Sequence, residues 1–314
     1  MDRVTQARPQ DLVVLGPSPR RKPFLAGYLL VYVLTGAAIL TYVGIVSPFA
    51  AVIAGLIYII SHVLRALRLA ALSIDMLGTS GRTTVAMHFA TAPFALLMPL
   101  KTGELVRFYA LWKMSGNAVY SVIVLLIDRM YDSLFLFPIL ILLILQGDAP
   151  MLLAVMTMLV ATIPLTVVVV GPKLLTELQR YVVSSQNSPV TLETLDKIDT
   201  ARRIVTHAAE VARRQAPQLC VVSFMIWLCE FLVCLILING VPDVLPRALD
   251  LLGARLVTFW VNADINTLVG ATLTITLTAQ LLPWPATVMI FFDRSKHEPQ
   301  APPALAQTQR EVTT

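Results

Sequence analysis

Long apolar runs dominate the chain, and short polar breaks divide them. Residues 24–46 form the first run, and residues 49–64 the second after the Ser47-Pro48 turn. The first is long enough to cross a ~30 Å hydrocarbon core, and the second is read as the return to the inside. Arg65 and Arg68 follow and are expected at the cytoplasmic end of the second span. Residues 69–82 read as a short inner connection. Residues 83–98 and 103–114 are apolar but short, and Pro93 and Pro99 interrupt them. That pattern predicts a re-entrant helical hairpin over 83–114 rather than two full spans. Non-helical backbone is tolerated at membrane depth only where protein or a watery cavity satisfies it.

Residues 119–145 predict one long helix. The stretch after Asp132 alone gives roughly 18 Å of helix, too short for a span. Asp128, Arg129 and Asp132 are therefore expected near mid-membrane. Each such charge costs ~2.5–3.5 kcal/mol to insert, so partners are expected. Arg129 with Asp132, and Glu104 with Arg107, have the i,i+3 spacing that lets them meet on one helix. Residues 151–170 and 219–238 predict further spans, the second with Glu230 near its middle. Residues 251–261 are short and apolar, and Asn262–Asn266 suggests a second re-entrant element. Residues 268–292 predict a last inward span marked by Pro283 and Pro285.

The expected fold class is an all-α polytopic membrane protein. It has about six full spans plus one or two re-entrant helical elements. A short echo between 123–129 (IVLLIDR) and 288–294 (VMIFFDR) fits a two-repeat architecture. Domain boundaries follow: a cytoplasmic tail over 1–23, an N-terminal membrane half over 24–170, and a cytoplasmic linker over 171–216. A C-terminal membrane half covers 217–292, and 293–314 is a disordered tail. The linker carries Lys173, Arg180, Lys197, Arg202, Arg203, Arg213 and Arg214 against Glu177, Glu193, Asp196, Asp199 and Glu210. Its apolar spacing predicts an amphipathic helix on the inner leaflet.

Composition sharpens this picture. The chain is 57% hydrophobic and 14% charged, well below the roughly 25% charged of soluble domains. The net charge of +5 sits in the N-terminal tail and the central linker. That suits an anionic lipid face better than nucleic acid, with both termini cytoplasmic in a bacterial-type inner membrane. Cys220, Cys229 and Cys234 lie in one apolar run without metal-ligand spacing, and no cofactor motif is present. His62 reads as an interfacial histidine.

Pro99 with Gly103-Glu104-Leu105-Val106-Arg107, and then Leu126-Ile127-Asp128-Arg129-Met130-Tyr131-Asp132, carry a resemblance. The chain resembles the lysylphosphatidylglycerol synthase transmembrane-region family of flippase-like integral membrane proteins. The resemblance is most specific over 83–145. A second family motif, a Pro/Gly-rich turn before a Gly-x-Gly-x-x-Glu-like helix start, is missing from the C-terminal half. The soluble aminoacyl-transfer domain of fused relatives is also absent, so synthase activity is not expected.

The resemblance implies a lipid transporter. Lys101, Glu104 and Arg107 are the candidate lipid head-group site, because paired guanidinium donors and an ammonium suit a phosphate. Asp128, Arg129, Asp132 and Glu230 form the candidate intramembrane charge network. Two other classes stay open. One is a non-transporting scaffold or accessory subunit of an envelope-lipid complex, with a partner protein on the linker. The other is a membrane-embedded transferase using Glu104 or Asp128 as base, which lacks any accompanying histidine or metal set.

Overall fold

The computed structural model describes residues 47–97, 103–146, 151–185, 189–238 and 267–285, with Thr35, 247–249, 251–252 and 287. Among them every regular element is helical and no strand occurs. Helix α1 (Pro48–Leu77) places Pro48 at its start, where the missing N–H costs nothing. It stops at Gly78, whose φ of 63° no side chain opposes. The Gly78 and Thr79 amides return to the carbonyls of Ile74 and Ser73, which closes the last turn. Residues 69–77 are thus helix, and the inner connection shrinks to residues 78–80.

Helices α2 (Gly81–Leu97) and α3 (Gly103–Ser115) pack against each other. Helix α2 continues through Pro93 instead of breaking there. The turn between them, with Pro99 and Lys101, lies outside the described residues. Gly116, at φ 71°, ends α3 by donating to Trp112 O at 2.8 Å. Asn117 then caps α4 (Ala118–Gln146), accepting from the Tyr120 amide at 3.1 Å.

Helices α5 (Met151–Ser185) and α6 (Pro189–Ile238) share the stretch read as a linker with an amphipathic helix, and both extend well beyond it. The polar stretch 171–216 is the end of one and the beginning of the other. Their 35 and 50 residues make about 52 and 75 Å of helix, well beyond one ~30 Å hydrocarbon layer. Helix α7 (Thr267–Leu281) is short and ends at the bend of 282–283. The expected second re-entrant element and the 288–294 echo lie outside the described residues.

Among the described residues, three helices, within Pro48–Leu77, Val155–Ser184 and Leu192–Ile238, are long and apolar enough to cross a membrane. Surface pattern agrees with that composition. Phe49, Val52, Leu56, Ile60, Val63 and Leu67 are all exposed at three- and four-residue spacing along one face of α1. That stripe runs about 27 Å, close to the thickness of the hydrocarbon core. The opposite face of α1 packs on α2, α4, α6 and α7.

Two apolar clusters form the interior. One joins Leu69, Leu72, Met87, Leu111, Val124, Ile127, Val211 and Leu219. The other joins Ala54, Tyr58, Val233, Leu237, Leu252 and Val269. On α1 and α6 the stretches between these clusters carry inward polar residues: Ser61, His62, Arg65 and Arg68 on one, Ser223 and Glu230 on the other. The charged layer therefore sits between two apolar plugs.

Candidate functional site

Arg68 is the centre of that layer. Its side chain is 1% exposed. Nε donates to Asp128 Oδ1 at 2.8 Å, and Nη1 donates to Asp132 Oδ1 at 2.8 Å and to Ser223 Oγ at 2.7 Å. The two aspartates sit one helical turn apart on α4, so one guanidinium bridges both. Arg68 is thus a buried bridging residue as well as one that follows the apolar run over 49–64. Helix α1 runs nine residues past it, to Leu77, and buries it against α4 and α6.

Arg129 extends the network to α3. It donates to Asp132 Oδ2 at 3.0 Å and to Glu104 Oε1 at 2.7 Å. Glu104 also accepts from Arg107 Nη1, at 3.2 and 3.3 Å to its two oxygens. On the α6 side, Glu230 Oε1 accepts from Arg65 Nη2 at 3.0 Å and from Ser61 at 3.1 Å. Arg65 also lies 3.9 Å from Asp132.

Of the residues singled out by sequence, Glu104, Arg107, Asp128, Arg129, Asp132 and Glu230 stand in this one layer. Lys101 is outside the described residues. Arg65, Arg68, Ser61 and Ser223 were not foreseen as members. The usable signal was Gly78: a helix terminator there keeps both arginines inside α1 rather than at its end.

Formal charge balances across the layer, with Arg65, Arg68, Arg107 and Arg129 against Glu104, Asp128, Asp132 and Glu230. Neutrality removes most of the cost of burying each ion alone. Burial is uneven. Arg68 and Arg107 are closed off, whereas the side chains of Arg129, Glu104 and Arg65 are 30%, 27% and 21% exposed. One edge of the layer is accessible and the other is sealed.

Hydrogen-bond supply is uneven too. The Nε–H groups of Arg65, Arg107 and Arg129 are buried and have no acceptor among the described residues. A buried donor without a partner costs about 1–3 kcal/mol, more when it is charged. Among the described residues the layer is balanced in charge, yet these three donors lack acceptors. No group of three or more potential metal ligands occurs among the described residues. No protein-family model matches the chain, and no curated protein or solved structure matches it.

Proposed function

We propose that the chain is a flippase-like lipid transporter. In this reading an anionic lipid head group enters the charged layer from the edge lined by Arg65, Arg129 and Glu104. The observation that carries it is the set of three guanidinium N–H donors without acceptors in a layer whose carboxylates are already engaged. A phosphate oxygen fits that deficit, and an arginine offers it paired donors. Glu104 holds Arg107 and Arg129 together when the layer is empty and suits an amino group on an aminoacyl lipid. Phospholipid, aminoacyl-lipid and glycolipid head groups belong to the substrate class. The motif resemblance over 83–145 supports the same reading, with the protein placed in the inner membrane, both termini cytoplasmic and no enzymatic step.

Native mass spectrometry of gently purified protein tests this. Glu104→Gln releases two arginines and is expected to retain more anionic phospholipid than wild type. Arg129→Gln removes a partly exposed guanidinium and its unpartnered Nε–H, and is expected to retain less. Equal, unselective lipid retention by wild type and both folded variants rejects the head-group role.

A scaffold role is the second reading, and the long α5–α6 pair favours it. Lys197 with Glu193, and Arg180 with Glu177, pair within their own helices near its tip. Tyr181 and Leu192 remain 68% and 72% exposed there, a surface open to a partner protein. Under this reading, shortening the tip removes a co-purifying protein and leaves lipid retention unchanged.

A further inference from the structure

A second buried polar cluster lies on the same helix as the charged layer, one turn from it. Tyr58 and His62 come from α1, His88 from α2 and Gln280 from the end of α7. All four are nearly sealed, at 5%, 5%, 3% and 4% exposed. His62 Nδ1 stands 3.4 Å from His88 Nε2, with the rings 5.6 Å apart. His62 Nε2 stands 2.6 Å from the Gln280 amide, which also meets the Tyr58 hydroxyl at 3.3 Å. Phe89 flanks both imidazoles.

The hydrogen-bond inventory allows two arrangements. With the Gln280 NH2 toward His62, Nε2 of His62 accepts, so its proton is on Nδ1 and points to His88. That state leaves Gln280 Oε1 and His88 Nδ1 without partners among the described residues. With the amide turned over, Oε1 accepts from His62 Nε2–H and from Tyr58. His62 then donates at both nitrogens, as an imidazolium does, with His88 Nε2 as the second acceptor. Rotation of one amide thus matches the cluster to either protonation state, with no helix displaced.

We infer that His62 and His88 form a one-proton site whose occupancy is coupled to an anion in the adjoining charged layer. The proton comes from solvent and adds to an imidazole lone pair; no other bond changes. The groups facing the pair are Tyr58 and Arg65 from α1, Arg107 from α3 and Arg129 from α4. Gln280 faces it from α7, and Glu104, Asp128 and Glu230 neutralise the arginines. The formal charge of the layer is balanced and Arg65 lies one turn from His62 on α1, so an oxyanion held there adds a net negative charge beside the pair and favours a proton on it. Proton and anion then bind with mutual help, and the coupling is reciprocal. The coupling rests on the head-group reading above; the two-imidazole site itself does not.

The test uses the full chain with 15N-labelled histidine in phosphatidylcholine nanodiscs. The sequence holds only 4 histidines, so His62→Gln and His88→Gln assign the signals. In wild type the pair takes up one proton between them, and either substitution changes the titration of the remaining ring. Adding dihexanoyl phosphatidylglycerol raises the midpoint by about one pH unit, equivalent to about tenfold in affinity. Dihexanoyl phosphatidylcholine does not. Glycerol phosphate distinguishes a lipid from a soluble phosphate: a rise with both probes keeps the coupling and widens the ligand class. Gln280→Met, which removes the amide without touching either ring, lowers the midpoint. It serves as the second variant if a histidine substitution fails to fold.

Two results overturn the inference: both rings staying neutral throughout the titration, or each titrating independently of the other. A retained anionic lipid that leaves the midpoint unmoved overturns the coupling while the head-group reading stands. No retained lipid together with a titrating pair rejects the head-group reading and, with it, the coupling.

Discussion

Arg68 on α1 and Asp128 on α4 stand 60 residues apart in sequence and 2.8 Å apart in space, and their pairing fixes how α4 lies against α1. Asp132 and Ser223 share the same guanidinium, so three helices meet at one side chain. Removing one partner of a buried pair leaves the other charge uncompensated, at a cost of about 3–5 kcal/mol. Arg68→Gln is therefore expected to lower the unfolding temperature sharply, as read by circular dichroism in detergent. Asp128→Asn costs less, because Asp132 still holds Arg68. A wild-type melting curve for Arg68→Gln contradicts the arrangement.

Trp284 gives a second prediction. It follows the bend after α7, is 1% exposed, and donates from Nε1 to Ala90 O on α2 at 2.8 Å. Pro93 sits three residues on in the same helix, where the backbone ladder is already short of one donor. Trp284→Phe keeps most of the apolar bulk and removes the N–H. The expected loss is about 1–3 kcal/mol from the unsatisfied group. Thermal unfolding measures it, and hydrogen exchange should rise at the α2–α7 contact before it rises at α5–α6.

Much of this was legible in sequence, and what was not has physical causes. The i,i+3 pairs Glu104–Arg107 and Arg129–Asp132 follow from helical spacing alone, and both occur. Glu104–Arg129 and Arg65–Glu230 join different helices, which periodicity within one helix does not specify. The contacts of Arg68 are of the same kind: its two aspartates lie on another helix, so its burial against them is not written in the apolar run that precedes it. Residues 171–216 read as a linker with an amphipathic helix, and the full length of the two helices that share them was not legible. Here the polar residues pair along the helix, as Arg202 and Arg203 do with Asp199, and let α6 continue unbroken.

Gly171 makes the α5–α6 pair testable away from the charged layer. A Cβ placed there meets Val205 Cγ1 at 2.9 Å, so the two helices approach too closely for a larger residue. Val205 is β-branched and has little rotamer freedom to yield. Gly171→Leu should part α5 from α6 around this point and raise the protease sensitivity of the long pair. Retention of lipid by the same variant separates the hairpin from the charged layer. Unchanged proteolysis contradicts the close approach.

Arg65 and Arg68 are three residues apart on one helix, yet they should differ in what can replace them. Arg68 uses Nε and Nη1 in two directions, to two carboxylates and a serine, inside a sealed site. A lysine has one ammonium on a flexible stem and cannot reproduce that fork. Arg65 makes its close contact through Nη2 alone, to Glu230, and its side chain is 21% exposed. A point charge meets that requirement. Arg65→Lys is expected to stay within about 1 kcal/mol of wild type, the range of partly exposed pairs. Arg68→Lys is expected to lose about 2–3 kcal/mol, because a charged hydrogen bond goes and a buried aspartate is left short of donors. Parallel thermal unfolding of the two variants reads the difference. Equal losses mean that Arg68 acts as a charge and not as a fork, and the bridging of Asp128 to Asp132 then does not set the register of α4.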